Sequence, residues 1–351
     1  MSFHNVERLE KKTFAQLMSL APIDGPVEKN SDEEEYYFRS LVAAYKPIIS
    51  RGVFGGHVMA QSAYAASRTV PPGYICHNFH SYFLMPGNPD IPFYYKVNVV
   101  RNGKTYMTRE IHVYQPRDSK VLSQPPFKRK DLVFVAIASF KTRDKSSAPL
   151  LHQRELASHF RVSANRHRIP ELELAPDVDI PMWIEMAKQR GEQPAGTEVH
   201  PLEVRKMDTT EFNKGIENIS DRTQIHFFKS HDKLNDDINL HVAALLYVSD
   251  RNSLFTIANL HDREYFLKQV ASIDHAFVMH KMDTRVDIDW MTMETYSSAS
   301  SDGRGLYQGH IYDENDELVC SFMQDGVLGL VDEADKMLPG LLPKNESKEK
   351  L

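Results

Sequence analysis

The sequence contains few cysteines. Cys76 and Cys320 are the only two among 351 residues. Two cysteines cannot form a disulfide framework, and the chain lacks the cysteine and histidine spacing typical of zinc sites. We therefore expect a protein without structural disulfides, a metal or another cofactor, in a reducing compartment.

Long hydrophobic runs and an excess of positive charge are also missing. No run of about 18 apolar residues occurs, and residues 1–12 lack the apolar core of a signal peptide, so we expect neither a membrane span nor secretion. The 42 Lys and Arg residues are outnumbered by 48 Asp and Glu residues, giving a formal net charge of −6. This balance argues against general nucleic-acid binding, which needs a broad basic surface.

The sequence does contain an internal repeat in its order of elements. Each half has a strand-like start, a helix with small residues and a series of strand-like runs. The first-half runs are 36–44, helix 55–69, 75–87, 91–103, 104–115 and 131–141. The second-half runs are 198–207, 222–229, helix 236–250, 269–281, 289–298, 305–315 and 317–331. One helix followed by antiparallel strands predicts an α+β fold rather than a parallel βαβ sheet.

The repeat also predicts the domain organisation. We expect an N-terminal segment, two similar domains separated by a linker, and a disordered polar tail. The boundaries are 1–35, 36–143, 144–197, 198–331 and 332–351.

The first predicted helix begins on Gly55-Gly56 and continues as HVMAQSAYAAS. Small side chains let a helix approach a sheet closely. The glycines leave backbone N–H groups uncovered at the positive end of the helix dipole, where they can hold an oxyanion or a carbonyl oxygen. A simple tight turn is the alternative explanation of the two glycines.

Several stretches, in order from about residue 38 to 330, carry a family resemblance. They are VFGGHVMAQSAYAA, HNFHSYFLMPG, VVRNGKTYMTREIHVYQ, LHVAALLYVSD, ASIDHAFVMHK and SSASSDGRGLYQGHIYDENDELVCSFMQDGV. Together they resemble the acyl-CoA thioesterase II family, the double-hotdog thioesterases of bacteria and peroxisomes. The resemblance implies two antiparallel sheets, each wrapped around a long helix. It also implies hydrolysis of acyl-CoA to a free fatty acid and CoA.

The same resemblance implies a catalytic group in the second half. Its members are Asp250 in YVSD, Ser272 before IDH, and Gln324 in QDG. Asp250 would act as general base toward a water molecule that Ser272 and Gln324 position. Direct attack by Asp250, with an anhydride intermediate, is the alternative mechanism. Each residue also has an ordinary structural explanation when taken singly.

Further candidates accompany this group. Gly55, Gly56 and Arg304 are expected to bind substrate, and Asp274 is a second acid, predicted on the same strand face as Ser272. The histidines of DHAFVMH do not have the spacing of a metal pair, so we expect structural roles for them. The first predicted helix contains no acid, which indicates one active site per chain.

The C-terminal residues and the repeat bear on cellular location and on assembly. The last residues, Glu349-Lys350-Leu351, resemble the Ser-Lys-Leu import signal except for the large acidic Glu349. We expect a peroxisomal protein, with the cytoplasm as alternative, and homo-oligomerisation is compatible with the repeat. Two other functions fit such a chain: an acyl-CoA-binding sensor, which needs no catalytic group, and a hotdog enoyl-CoA hydratase, which typically uses an Asp/His pair.

Overall fold

The computed structural model describes residues 12–25, 34–47, 52–116, 126–143, 150–176, 178–180, 201–262 and 267–330. The predictions on the start of the N-terminal segment, on much of the linker and on the tail 332–351 lie outside these residues.

The first half of the chain and the connection contain short helices and strands in the predicted order. They are α1 (Phe14–Leu17), β1 (Leu20–Pro22), β2 (Glu35–Ser40), α2 (Gly55–Ser67), β3 (Ile75–Phe83), β4 (Tyr94–Asn102), β5 (Tyr106–Tyr114), β6 (Leu132–Lys141), α3 (Val162–Asn165) and β7 (Glu173–Leu174). None of the helices in the described residues is long and apolar enough to cross a membrane.

The second half has a similar order, with additions. Its elements are β8 (Leu202–Lys206), α4 (Thr210–Asn213), β9 (Gln224–Ser230), α5 (Ile238–Ser249), α6 (Ser253–Leu260), β10 (Leu267–Ser272), β11 (Asp274–Met279), β12 (Met291–Ser301), β13 (Arg304–Tyr312) and β14 (Leu318–Leu330). The additions are α4, α6 and β10. Helix α6 is absent from the predicted elements. It is separated from α5 by a turn in which Asn252 has a φ of 54°, a left-handed conformation that asparagine tolerates. The predicted strand 269–281 is divided at Ile273 into β10 and β11.

The described strands form one antiparallel sheet of fourteen strands. Its order is β1-β2-β4-β5-β6-β3-β11-β14-β13-β12-β9-β8-β7, and β10 pairs with β14. The order is symmetric about the β3–β11 pair, with β6, β5, β4 and β2 on one side and β14, β13, β12 and β9 on the other. The predicted antiparallel α+β architecture is thus confirmed. The division into two separate sheets is not, because β3 and β11 are hydrogen-bonded from Asn78–Val278 to Tyr82–Asp274.

The two main helices pack against each other and share one core with the sheet. Helix α2 contacts α5 and strands β3, β4, β5 and β6. The alanines of both helices are buried, namely Ala60, Ala63, Ala65, Ala66, Ala243 and Ala244. Their small side chains allow the close approach of the two helices. From the sequence we expected close approach of each helix to the sheet instead.

The glycine pair lies where the start of α2 meets the end of α5. A Cβ atom on Gly56 would lie 2.5 Å from the carbonyl oxygen of Tyr247 and 2.6 Å from the ring of Phe54. A Cβ atom on Gly55 would lie 2.8 Å from Oδ2 of Asp250. Neither glycine has a positive φ. The close approach of the two halves, rather than a tight turn, therefore explains both glycines.

We predict that Gly56→Ala lowers the free energy of unfolding by about 1–3 kcal/mol, as overpacking of a dense core does. The obstructing atom is a backbone carbonyl oxygen, which cannot rotate away. Urea unfolding measures the loss. Ser62→Ala is the control on the same helix: its buried hydroxyl has no hydrogen-bond partner among the described residues, so its removal should leave the free energy of unfolding unchanged or raise it. A Gly56→Ala variant as stable as the wild type would contradict the packing explanation.

Candidate active site

Asp250 stands at the end of α5 and is almost completely buried, with 6% of its surface exposed. Its Oδ2 atom accepts a hydrogen bond of 2.7 Å from the backbone N–H of Gly56, 194 residues earlier in the chain. Gly56 lies in the first turn of α2, where backbone N–H groups lack helical partners and the helix dipole is positive. A backbone N–H from the first half of the chain therefore binds a carboxylate from the second half.

Burial raises the pKa of Asp250 from its ordinary value of 3.8 to about 7. The Gly56 N–H opposes this rise most strongly, followed by the nearby side chains of Gln324 and Ser253. The second oxygen, Oδ1, is buried and has no hydrogen-bond partner among the described residues. A carboxylate with a pKa near neutrality and an acceptor oxygen still available has the properties of a general base.

Gln324 lies on β14 and is fully buried. Its Nε2 atom donates to Oγ of Ser272 at 2.5 Å and to Oγ of Ser253 at 3.3 Å. Ser272 is the last residue of β10, which pairs with β14, and Ser253 begins α6. The structure thus brings Asp250, Ser272 and Gln324 into one cluster, in which Asp250 and Gln324 are buried and Ser272 is partly exposed. Their catalytic roles stay predictions.

Two members of this cluster were not among the predicted site residues. Ser253 lies three residues after Asp250 in the sequence SDRNS, and this proximity was the only available signal. His275 follows the Ser-Ile-Asp run, and its Nδ1 atom is 2.7 Å from Oε1 of Gln324. Its Nε2 atom is 3.0 Å from Oγ of Ser249. Burial lowers the pKa of His275 to about 4, so the ring is neutral near pH 7.

Tyr307 forms part of the wall of the cluster. It lies on β13 directly across from Gln324 on β14. Its side chain is fully buried, and its hydroxyl has no hydrogen-bond partner among the described residues. Burial, and then the negative charge of Asp250, raise its pKa, so Tyr307 is a neutral phenol at physiological pH.

The remaining predicted site residues lie beside the cluster rather than in it. Arg304 is more than half exposed and forms an ion pair of 2.5 Å with Asp325. Asp274 accepts a 2.7 Å hydrogen bond from the backbone N–H of Asp325. This bond places Asp274 against the backbone of β14, and the break at Ile273 removes the continuous strand on which Asp274 and Ser272 were expected to share a face. The roles of Arg304 and Asp274 stay predictions.

Metal binding has no candidate group in the described part of the chain. No three His, Cys, Asp or Glu side chains there converge as metal ligands. The expectation that the protein uses no metal or other cofactor stays a prediction.

Comparison with known proteins gives matches in both halves of the chain. The family model described as acyl-CoA thioesterase matches residues 196–327. The model described as acyl-CoA thioesterase N-terminal domain matches residues 44–140. The two models therefore match the second and the first half of the repeat, respectively.

Individual relatives cover most of the chain. Acyl-CoA thioesterase 2 from Haemophilus influenzae is 27% identical over 286 residues, which cover 79% of this chain and 88% of that protein. Peroxisomal acyl-coenzyme A thioester hydrolase 1 from Saccharomyces cerevisiae is 23% identical over 328 residues, covering 82% of this chain and 89% of that protein.

A solved structure extends the similarity to three dimensions. The acyl-CoA thioesterase II TesB2 from Mycobacterium marinum superimposes with a TM-score of 0.60 at 25% identity, covering 91% of this chain and 97% of that one. The predicted resemblance is confirmed by these matches. This chain belongs to the acyl-CoA thioesterase II family.

Proposed function

We propose that this protein hydrolyses fatty acyl-CoA to a free fatty acid and CoA, with Asp250 as general base. The observation that carries the proposal is the buried Asp250 carboxylate, with Oδ2 held by Gly56 and Oδ1 available. The names of the relatives, which are acyl-CoA thioesterases, support the substrate class.

In the proposed reaction, Oδ2 of Asp250 stays bound to Gly56 and Oδ1 acts as the base. Oδ1 of Asp250 accepts a proton from water, and the water oxygen attacks the thioester carbonyl carbon. The tetrahedral intermediate collapses, the C–S bond breaks, and the thiolate of CoA leaves. The proton held by Asp250 then passes to the thiolate or to solvent, which regenerates the carboxylate. Direct attack by Asp250 stays the alternative, and the position of solvent ¹⁸O after a single turnover distinguishes the two routes.

The serine hydroxyls are suited to position the water. Ser272 and Ser253 both accept a hydrogen bond from Nε2 of Gln324, so each keeps its own hydrogen to donate. Uncharged donors suit this role, because a cation beside Asp250 would lower its pKa and weaken it as a base. Gly55 and Arg304 remain the proposed substrate-binding residues, and Asp274 the secondary acid. Gly56 was also expected to bind substrate, but its N–H already donates to Asp250.

We also propose that residues 36–143 and 198–331 each form a hotdog, in which part of the sheet wraps around α2 or α5. Residues 1–35, 144–197 and 332–351 are the proposed N-terminal segment, linker and tail. The family matches at 44–140 and 196–327 support these bounds. Arg68 directly follows α2, at the position that corresponds to Asp250 after α5, which supports one active site per chain.

The peroxisome is the proposed location, supported by the name of the yeast relative, with the cytoplasm as alternative. Imaging of the tagged protein beside a peroxisomal marker tests it. A homo-oligomer stays a prediction that size-exclusion chromatography with light scattering addresses.

We predict that Asp250→Asn lowers kcat by at least about 100-fold while acyl-CoA still binds, since general-base catalysis contributes roughly 100- to 10,000-fold. Thiol release from palmitoyl-CoA measures the rate, and calorimetry measures binding. Asp237→Asn is the matched control at the other end of α5, because asparagine caps a helix start as well as aspartate does. It should keep wild-type kcat.

The same assay separates the alternatives. Wild-type protein that binds acyl-CoA but releases no thiol would be a sensor. A hydratase would convert enoyl-CoA to hydroxyacyl-CoA without releasing thiol. The described contacts do not favour an Asp/His pair, since Asp250 bonds to Gly56 whereas His275 bonds to Gln324 and Ser249.

The pH dependence follows from the pKa of Asp250. The base works only as a carboxylate, and burial raises its pKa to about 7. We predict that kcat/KM falls about tenfold per pH unit below pH 7 and levels off above it. Initial rates between pH 5 and 9, with a stability check at each pH, measure this profile. A rate that declines only below about pH 5 would contradict the assignment.

A further inference from the structure

The side-chain amide of Gln324 can take two orientations that differ by a rotation of half a turn. Only one of them lets the cluster work as proposed. In the structure, Oε1 faces His275, and Nε2 faces Ser272 and Ser253. If the amide were turned by half a rotation, its Oε1 atom would face both serines and would accept hydrogen bonds from them. Their hydroxyl hydrogens would then point at Gln324 and not at the water.

The ring of His275 is placed to select the first orientation. An amide oxygen only accepts hydrogen bonds, so the 2.7 Å contact requires a hydrogen on Nδ1 of His275. The ring of Phe322 lies nearly parallel to the imidazole, with centroids 6.0 Å apart and planes at 14°. The imidazole is 1% exposed, which leaves it little freedom to turn.

Ser249 is the second polar partner of this ring. Its Oγ is 3.0 Å from Nε2 of His275 and 3.0 Å from the carbonyl oxygen of Leu246. The hydroxyl has one hydrogen and two acceptors within reach, so a hydrogen on Nδ1 of the neutral ring requires that the hydroxyl donates to Nε2 and not to Leu246. Each group then donates a hydrogen bond to the next: Ser249 to His275, His275 to Gln324, and Gln324 to the two serines.

We propose that His275 is a positioning residue: its Nδ1–H holds the Gln324 amide so that Ser272 and Ser253 present their hydrogens to the reacting water. The proposal rests on the proposed thioesterase function. It assigns to His275 a role beyond the structural one expected from the sequence.

Two variants of His275 test the role. The side-chain nitrogen of asparagine lies close to the position of Nδ1 and can donate to Gln324, whereas leucine cannot. We expect His275→Asn to keep kcat within about fivefold and His275→Leu to lose about 100-fold, the size of effect expected when a reacting group is misplaced by about 1 Å. KM should stay unchanged in both, because His275 acts on the water and not on substrate binding.

His241→Leu is the matched control. His241 is also buried, with Nε2 3.1 Å from the carbonyl oxygen of Asn235 and Nδ1 accepting from the N–H of Val286 at 3.3 Å. The control also loses two polar ring contacts, but it lies at the end of α5 away from the cluster, so it should lose stability and keep kcat. Equal kcat in His275→Leu and wild type, or equal losses of kcat in His275→Leu and His241→Leu, would overturn the proposal.

A second measurement observes the wild-type protein and does not depend on turnover. Nitrogen NMR of ¹⁵N-histidine-labelled wild-type protein near pH 7, with His275→Asn for assignment, reports the protonated ring nitrogen. Hydrogen on Nδ1 is the expected result, and hydrogen on Nε2 would overturn the proposal. Wild-type protein that releases no thiol would instead refute the proposed function, and the tautomer would still decide whether His275 orients Gln324.

Discussion

The hydrogen bond from the Gly56 N–H to Oδ2 of Asp250 is the contact on which the site depends. It joins the start of α2, from the first half of the chain, to the end of α5, from the second. No side chain other than hydrogen fits at position 56 without meeting the Tyr247 carbonyl oxygen. The glycine pair therefore lets the start of α2 approach the end of α5 around this carboxylate. The small residues along both helices let the helices pack closely.

Two opposing effects set the charge state of that carboxylate. Burial disfavours the ion, whereas the N–H donor at a positive helix end favours it. Burial is the larger effect, and the pKa of Asp250 is raised to about 7. In the unfolded chain the ordinary value of 3.8 applies. The protonated group therefore favours folding at low pH, and this contribution is lost as pH rises through about 7. The protein gives up some stability at the pH where its base is active, a common relation between stability and activity.

The sequence allowed the antiparallel α+β architecture and most of the order of elements to be predicted, but not the packing of α2 against α5. Periodicity identifies strands and helices locally, and the family resemblance selected Asp250, Ser272 and Gln324. The join between β3 and β11 could not be predicted in this way, because pairing between distant strands is not encoded in local periodicity. The same limit applies to His275, whose partner Gln324 lies 49 residues away on a neighbouring strand. Helix α6 escaped prediction because it is short and follows α5 after a left-handed Asn252.

The central claim is that burial between the two halves turns Asp250 into a base with a pKa near neutrality. Carbon NMR of protein labelled with ¹³C at the aspartate carboxyl groups, assigned with Asp250→Asn, follows the titration of this side chain directly. We predict a midpoint at about pH 7 for Asp250. A midpoint near the ordinary value of 3.8 would contradict it, since the carboxylate would then be no more basic than one in water.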